Sequence, residues 1–272
     1  MKLSTLALRA VLVLAGFLVL GPLLWTLLNA FKTNADLLVN TPKLLFTPVW
    51  DNMAYVLGRK SVARALVNSL IICSSAVAIG ALLGVPAAYV IARIKNRITA
   101  EAQFFALSLR FLPPVAVAIP MMVIWMSLGL YDTKLSLIIT YLTITVSITI
   151  WLSVPAFERV PLAVEEAARV DRLGPYATFF RIALPIAKLQ IFSAVAFSFV
   201  LVWNEFLLAM MLSTSKAKTL PIIASEMSQL GMNVPWGILN AAVVLLSLPP
   251  LILLALLAGG MNSIFSKKPS QD

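Results

Sequence analysis

Of the 32 charged residues, eight are gathered between Pro155 and Ile186. This stretch and its edge hold Glu158, Arg159, Glu165, Glu166, Arg169, Asp171, Arg172, Arg181 and Lys188, five basic and four acidic groups with a net charge of +1. Their spacing suits association. Glu165 and Arg169 are four residues apart, in the order that favours an ion pair along one helical face. Ala163, Ala167 and Ala168 leave room for a partner surface to approach closely. Bond-making chemistry, in contrast, lacks its usual groups. The chain has no histidine and one cysteine, Cys73, inside an apolar run. Zinc and iron–sulfur ligation, Cys/His catalysis and an internal disulfide are therefore disfavoured or excluded. The nearest imitation of a phosphate loop, Gly58-Arg59-Lys60-Ser61, has the wrong spacing for a Walker A motif. Any ATP this protein depends on is expected to be hydrolysed by another chain.

A second set of polar groups lies inside apolar runs. Glu205 is the one acid well inside such a run, with Ser198 seven residues earlier on the same helical face and Asn204 beside it. An acid at that depth must face protein or water, so it either lines a polar path or clamps neighbouring helices. Thr140, Thr143 and Ser147 fall on one helical face, and Thr145, Thr149 and Ser153 on the opposite one. One stripe can pack against a neighbour while the other lines a path; alternatively the hydroxyls bond their own i−4 carbonyls. Tyr141, Trp151 and Trp203 could offer aromatic faces to a sugar. The candidate path residues are thus Thr140, Tyr141, Thr143, Ser147, Ser198, Trp203, Asn204 and Glu205.

The elements that must position these groups follow from composition. Hydrophobic residues make up 61% of the 272 and charged residues 12%, against roughly half and about a quarter in soluble domains. That excludes an ordinary soluble enzyme and predicts an all-α integral membrane protein. Six stretches reach the roughly 20 residues needed to cross a bilayer: Leu6–Leu28, Leu66–Ala92, Ala102–Trp125, Leu135–Val154, Ala187–Leu212 and Trp236–Gly259. The first is read as a retained span, since no small-x-small cleavage site precedes Phe31-Lys32. Six spans put both termini on one side. Twelve Lys/Arg in the segments on that side, against eight on the other, make it cytoplasmic. The net charge of +10 then reports topology and anionic headgroups rather than nucleic acid. Within the third stretch, Arg110-Phe111-Leu112-Pro113-Pro114 and Pro120 predict kinks, with Arg110 snorkelled or paired. Two long loops, Phe31–Ala65 and Ser213–Pro235, fall on the outer side, and a short interfacial helix is expected over Trp50–Leu57.

The loop Pro155–Ile186 reads as helix–turn–helix. Pro161 suits a first helical turn, and Gly174-Pro175 a stop; a second short helix is expected over Tyr176–Ala183. Glu166-Ala167-Ala168, Asp171 and Leu184-Pro185 resemble the EAA loop of ABC importer permeases. Two positions depart from that pattern: Arg172 stands where a glycine usually follows the aspartate, and Leu189 where a proline usually follows the Leu-Pro. The missing glycine is expected to alter the turn, with Gly174 taking part of its role. Further pieces in order along the chain resemble the carbohydrate branch, similar to the smaller membrane subunit of the maltose importer. They include Phe31-Lys32, Asn52, Tyr55, Asn68-Ser69, Ala87-Ala88-Tyr89, Ala92-Arg93, Asp132-Thr133, Trp203-Asn204-Glu205-Phe206 and Thr219-Leu220-Pro221. The glycine-rich tail of that branch is replaced by Gly259-Gly260 and Phe265-Ser266-Lys267-Lys268-Pro269.

The resemblance implies a single transmembrane permease domain over residues 1–272, with six transmembrane helices in the type I importer fold and Pro155–Ile186 as cytoplasmic coupling loop. Glu165, Glu166, Ala167, Ala168, Arg169, Asp171, Arg172 and Gly174 would couple it to the ATPase. It implies a binding-protein-dependent carbohydrate importer in the cell inner membrane. The partners would be a second homologous permease, two ATPase subunits holding ATP and Mg, a periplasmic or lipid-anchored solute-binding protein, the carbohydrate and membrane lipid, with no nucleic acid. No cofactor or metal is expected in this chain, and no catalytic residue. The competing reading is a stand-alone secondary transporter of a small polar solute, which would call for internal repeats and midplane ion sites in broken helices; no convincing repeat is visible.

Overall fold

Long apolar runs without strand periodicity give helices throughout. The computed structural model describes residues 2–109, 111–228 and 235–265. In chain order α1 spans Lys2–Ala30, α2 Asn34–Leu37, α3 Asp51–Gly58 and α4 Lys60–Arg93. Then come α5 over Arg97–Ser108, α6 over Pro114–Ser127 and α7 over Lys134–Glu158. The short α8, Leu162–Val170, and α9, Pro175–Thr178, lead through a π-helical turn, Phe179–Ala183, into α10, Leu184–Trp203. The last three are α11 at Leu207–Leu212, α12 at Leu220–Met227 and α13 at Trp236–Phe265.

Among the described residues, five helical stretches are long and apolar enough to span a membrane: Leu8–Ala30, Lys60–Arg93, Lys134–Glu158, Pro175–Trp203 and Trp236–Gly259. The expectation of six is corrected to five. The stretch read as a third span, Ala102–Trp125, is divided between α5 and α6, of 12 and 14 residues, and neither reaches the length of a crossing. The cause is Pro113-Pro114. Proline has no N–H for the helical ladder and forces the residue before it out of the helical region; Pro113 accordingly sits at φ −58°, ψ 131° and Pro114 opens α6. Arg110, read as snorkelled or paired, lies outside the described residues, as do 229–234 of the Ser213–Pro235 loop and the tail from 266 on. The fifth predicted stretch also breaks, at Asn204–Phe206, so that its last turn becomes the separate α11.

The chain divides into two compact units, one of Met1–Ala65 with Leu220–Leu248 and one of Leu66–Thr219 with Pro249–Asp272. In the first, Asn52 on α3 donates to the carbonyls of Ala30, at 3.1 Å, and Lys32, at 2.8 Å. That ties the end of α1 to the following loop, where Phe31 and Trp50 meet at 5.4 Å between ring centroids. A Cβ added at Gly237 would come within 2.7 Å of the Asn52 carboxamide carbon, so a larger residue there would displace the amide that makes these bonds.

In the second unit α7 packs along α10, and α4 approaches α7 through Gly80 and Gly84. A Cβ at Gly80 would fall 2.6 Å from Thr145 Cβ, and one at Gly84 2.9 Å from Thr149 Cβ. Two glycines four residues apart let the helix backbones close in, the small-residue seam of membrane helices. The pairing of 80 with 145 and 84 with 149 makes the two helices run parallel. A core of Val85, Ala88, Ile150, Val154, Phe157 and Phe179 forms where they end. Tyr89, Phe157 and Phe179 cluster there with centroids 5.0–6.0 Å apart.

Candidate functional site

The charged loop after α7 is built on one buried carboxylate. Pro161 precedes α8 in extended conformation, and the helix places Glu165 and Ala168 inward. Glu165 is 1% exposed. Its Oε1 accepts from Arg93 Nη2 at 2.6 Å and Nε at 3.0 Å, and its Oε2 from the Tyr89 hydroxyl at 2.8 Å. The same Arg93 Nη2 reaches the Val160 carbonyl at 3.2 Å. Burial alone would raise the Glu165 carboxyl; the hydrogen bonds from Arg93 and Tyr89, with the charge of Arg93, outweigh it and hold the group below its ordinary value. The expected partner four residues on, Arg169, adds only its field. The carboxylate is bonded to the end of α4 instead. Beside it Lys95 pairs with Glu158 at the surface.

With Glu165 facing in, the other face of the loop is free. Glu166, Ala167, Arg169, Asp171, Arg172 and Gly174 are exposed, as are Leu162, Val164, Val170 and Tyr176, the last two at 83% and 82%. This face mixes apolar side chains with charges of both signs. Of the eight residues read as coupling, the structure puts six outside and two, Glu165 and Ala168, inside.

The turn that ends α8 closes despite the absent glycine. Leu173 N–H bonds Ala168 O at 3.0 Å and Arg172 N–H bonds Arg169 O at 2.9 Å, the paired 6→1 and 5→2 bonds of a Schellman cap. Arg172 fills the left-handed position at φ 60°. Gly174 does not take over that role: it is extended at φ −71°, ψ 166°, and starts α9.

At the other end of α7 a second carboxylate holds a second loop. Asp132, also left-handed at φ 57°, accepts from the backbone N–H groups of Thr214, Ser215, Lys216 and Ala217 at 3.0–3.2 Å. The hydroxyls of Thr214 and Ser215 add bonds of 3.1 and 3.0 Å. Burial pushes the carboxyl up, but these donors hold it well below the usual aspartate range. Asn68 of α4 grips the same loop, donating to Lys216 O and Lys218 O at 3.0 Å each.

The polar residues of the apolar helices are placed as follows. Thr140 receives the Trp125 indole N–H at 3.0 Å and donates to Ser136 O. Thr143 and Ser147 donate to carbonyls three and four residues back, at 2.7 Å each. Thr145 reaches across to Ala76 O at 3.0 Å. The Tyr141 hydroxyl donates to Glu205 at 3.2 Å, and Glu205 also accepts from Leu208 N–H at 2.9 Å and Ala209 N–H at 3.1 Å, capping α11. Trp203 is buried and stacked on Phe199 at 5.5 Å. Ser198 is buried with an unpartnered hydroxyl among the described residues, and Asn204 is exposed, donating to Val200 O. Tyr141 and Glu205 are thus brought together with Asn204 nearby in sequence, while Thr143 and Ser147 are turned to their own helix and Thr140 also meets α6 through Trp125.

Arg93 and Tyr89 as the anchor of Glu165, and Asp132 and Asn68 as the clamp of 213–219, are not found by reasoning along the sequence. Their partners lie 72 to 150 residues away, and a lone polar residue at a helix end carries no local mark of such a partner.

Comparison with known proteins places this geometry. The sequence model for the "Binding-protein-dependent transport system inner membrane component" family matches residues 53–270. The chain is 29% identical to the diacetylchitobiose uptake system permease protein NgcG of Streptomyces coelicolor, over 90% of this chain and 82% of that one. It is 31% identical to the inner membrane ABC transporter permease protein YcjP of Escherichia coli, over 70% and 68%. It is 28% identical to the trehalose transport system permease protein SugB of Mycobacterium tuberculosis, over 85% of each chain. Among solved structures it shares its fold with a bacterial ABC transporter involved in import of the acidic polysaccharide alginate, at TM-score 0.76 and 18% identity over 95% of this chain and 96% of that one.

Proposed function

This chain belongs to the binding-protein-dependent transport inner membrane components, the permeases of ABC importers, and from that premise we propose that it imports a carbohydrate and that α8 is where a separate ATPase drives it. The observation that carries the reading is the two-sidedness of α8. Glu165 fixes one face to α4 through Arg93 and Tyr89, and the opposite face presents Glu166, Ala167, Arg169 and Val170 to a partner. A push on that face reaches α4 through the ion pair and α7 through the chain itself.

The carbohydrate class is supported by relatives whose names give diacetylchitobiose and trehalose as their cargo. The path would be shared with a second permease, Thr143, Asn204 and Glu205 being the groups on this side, with Thr140, Tyr141, Ser147, Ser198 and Trp203 buried behind them. A solute-binding protein would deliver the sugar to the loops Phe31–Ala65 and Ser213–Pro235. ATP and Mg belong to two ATPase subunits, one of which docks on Glu166–Gly174. The test is co-purification with the ATPase and transport of labelled sugar. Glu166→Arg with Arg169→Glu should abolish both ATPase retention and uptake while the permease still reaches the membrane. Full retention and uptake in that variant would reject the docking face.

A further inference from the structure

The first unit contains a cavity to which the transport reading assigns no ligand. It has a volume of about 410 Å³, and its lining includes Trp25, Asn29, Lys32, Asn40, Trp236 and Asn240, with the Asp36–Lys43 ion pair at its edge. Lys32 is 2% exposed. Its ammonium donates to Asn29 Oδ1 at 2.9 Å and lies 4.3 Å from the centroid of the Trp25 ring and 5.2 Å from that of Phe46. An ammonium has three donors, and only this one bond to a protein acceptor is made among the described residues. Asp36 is engaged by Lys43 at 2.5 Å, so Lys32 is the excess charge of the cavity. The site therefore calls for an anion with further hydrogen-bonding groups for the amide of Asn40 and for what remains of that of Asn240, one N–H of which is given to Trp236 O at 2.7 Å.

Its place in the fold narrows the source of that anion. Trp25 lies near the end of one membrane-spanning helix, Leu8–Ala30, and Trp236 at the start of another, Trp236–Gly259. Tryptophan at span ends marks the level of the lipid headgroups. Below Trp25, α1 leaves Phe17, Leu18, Leu20 and Leu24 exposed, an apolar track about 12 Å long from residue 25 to 17. A sugar ring is less well served. One face of the Trp25 ring is already covered by Lys32.

The geometry points to a binding site for an anionic phospholipid, its phosphodiester on Lys32, its headgroup hydroxyls on Asn40 and Asn240 and an acyl chain along α1. Charge attraction and the apolar track act together, each on a different part of the same molecule.

The assembled importer, purified in detergent, is read by native mass spectrometry after addition of phosphatidylglycerol, phosphatidylethanolamine, inorganic phosphate or maltose. Phosphatidylglycerol should be retained on this chain, and retention should fall about fivefold or more in Lys32→Gln and recover in Lys32→Arg. Because Lys32 also holds the loop against Trp25, Asn40→Leu is measured alongside; it leaves that contact in place and should weaken retention as well. Undiminished retention in either folded variant overturns the site. So does equal retention of phosphatidylethanolamine, displacement by inorganic phosphate, which would make it a free-anion site, or displacement by maltose, which would make it a sugar site. None of these readings depends on transport or on the ATPase.

Discussion

Among the described residues, two that are not glycine sit in the left-handed region, one just ahead of α7 and one in the loop beyond it, and they are treated in opposite ways. Asp132, at φ 57°, gains four backbone N–H groups and two hydroxyls for its carboxylate. Arg172, at φ 60°, is exposed, and its guanidinium has no hydrogen-bond partner among the described residues. Aspartate tolerates this conformation better than a long side chain does, and here its cost is offset within the fold. At Arg172 the cost, about 1 kcal/mol relative to glycine, is left standing on the face assigned to a partner. One loop is closed on itself; the other is fastened by its inner face and kept open on its outer one.

That contrast can be broken most forcefully at Asp132. Asp132→Ala should cost about 4 kcal/mol, since it strands several N–H groups at once, and hydrogen exchange should show protection lost at Thr214–Ala217. Glu165→Ala should cost about 3 kcal/mol by leaving Arg93 without its carboxylate, and here the loss should appear in ATPase retention as well as in thermal unfolding. If the Asp132 variant loses ATPase and the Glu165 variant does not, the roles of the two loops are reversed.

Acid sharpens the comparison without substitution. Both carboxyls are held below their ordinary values, 4.5 for glutamate and 3.8 for aspartate, the aspartate by far the more strongly. Each therefore stabilises the fold fully above its unfolded value, and loses that contribution as pH falls through the lower folded one. On acidification below about pH 4.5, amides of residues 162–173 should lose protection before those of 214–217; the reverse order would contradict the hydrogen-bond assignment. The smallest effect is a gain. Arg172→Gly should raise stability by about 1 kcal/mol while reducing retention of the ATPase. A gain in both would mean that the arginine contributes nothing to docking.

The membrane helices were legible because an apolar run of bilayer length is a long, redundant signal. Trp236–Gly259, for example, starts at the residue where α13 starts and lies wholly within that helix, Trp236–Phe265. The third stretch misled because the hydropathy of Ala102–Trp125 outweighs two adjacent prolines, whereas the backbone obeys the prolines. In the loop, Pro161 and Gly174-Pro175 announced two helices, but α8 ends at Val170. The reason is that hydrogen bonds from Arg172 and Leu173 close the turn without the glycine on which a reader relies. Glu165 was visible as a charge on a helix, yet its nearest sequence partner, Arg169, was not its bonding partner. A buried acid takes the donor that the tertiary fold brings, here Arg93, and nothing local in the sequence ranks that donor above the neighbour.

The glycine seam between α4 and α7 has a mechanical consequence. The two helices run side by side, with Asn68 and Asp132 near one end and Arg93 and Glu165 near the other. Packed backbone to backbone, they behave as a double-walled strut whose ends cannot be displaced independently. At 25 residues α7 is about 37 Å long, so a tilt of about 10° at one end sweeps the other through about 6 Å. That is larger than a helical pitch, and it requires no bending, unfolding or change of rotamer along the way. The ratio of arm lengths about the pivot, rather than the strength of any contact, would then set how far the Asp132-held loop travels for a given stroke at α8.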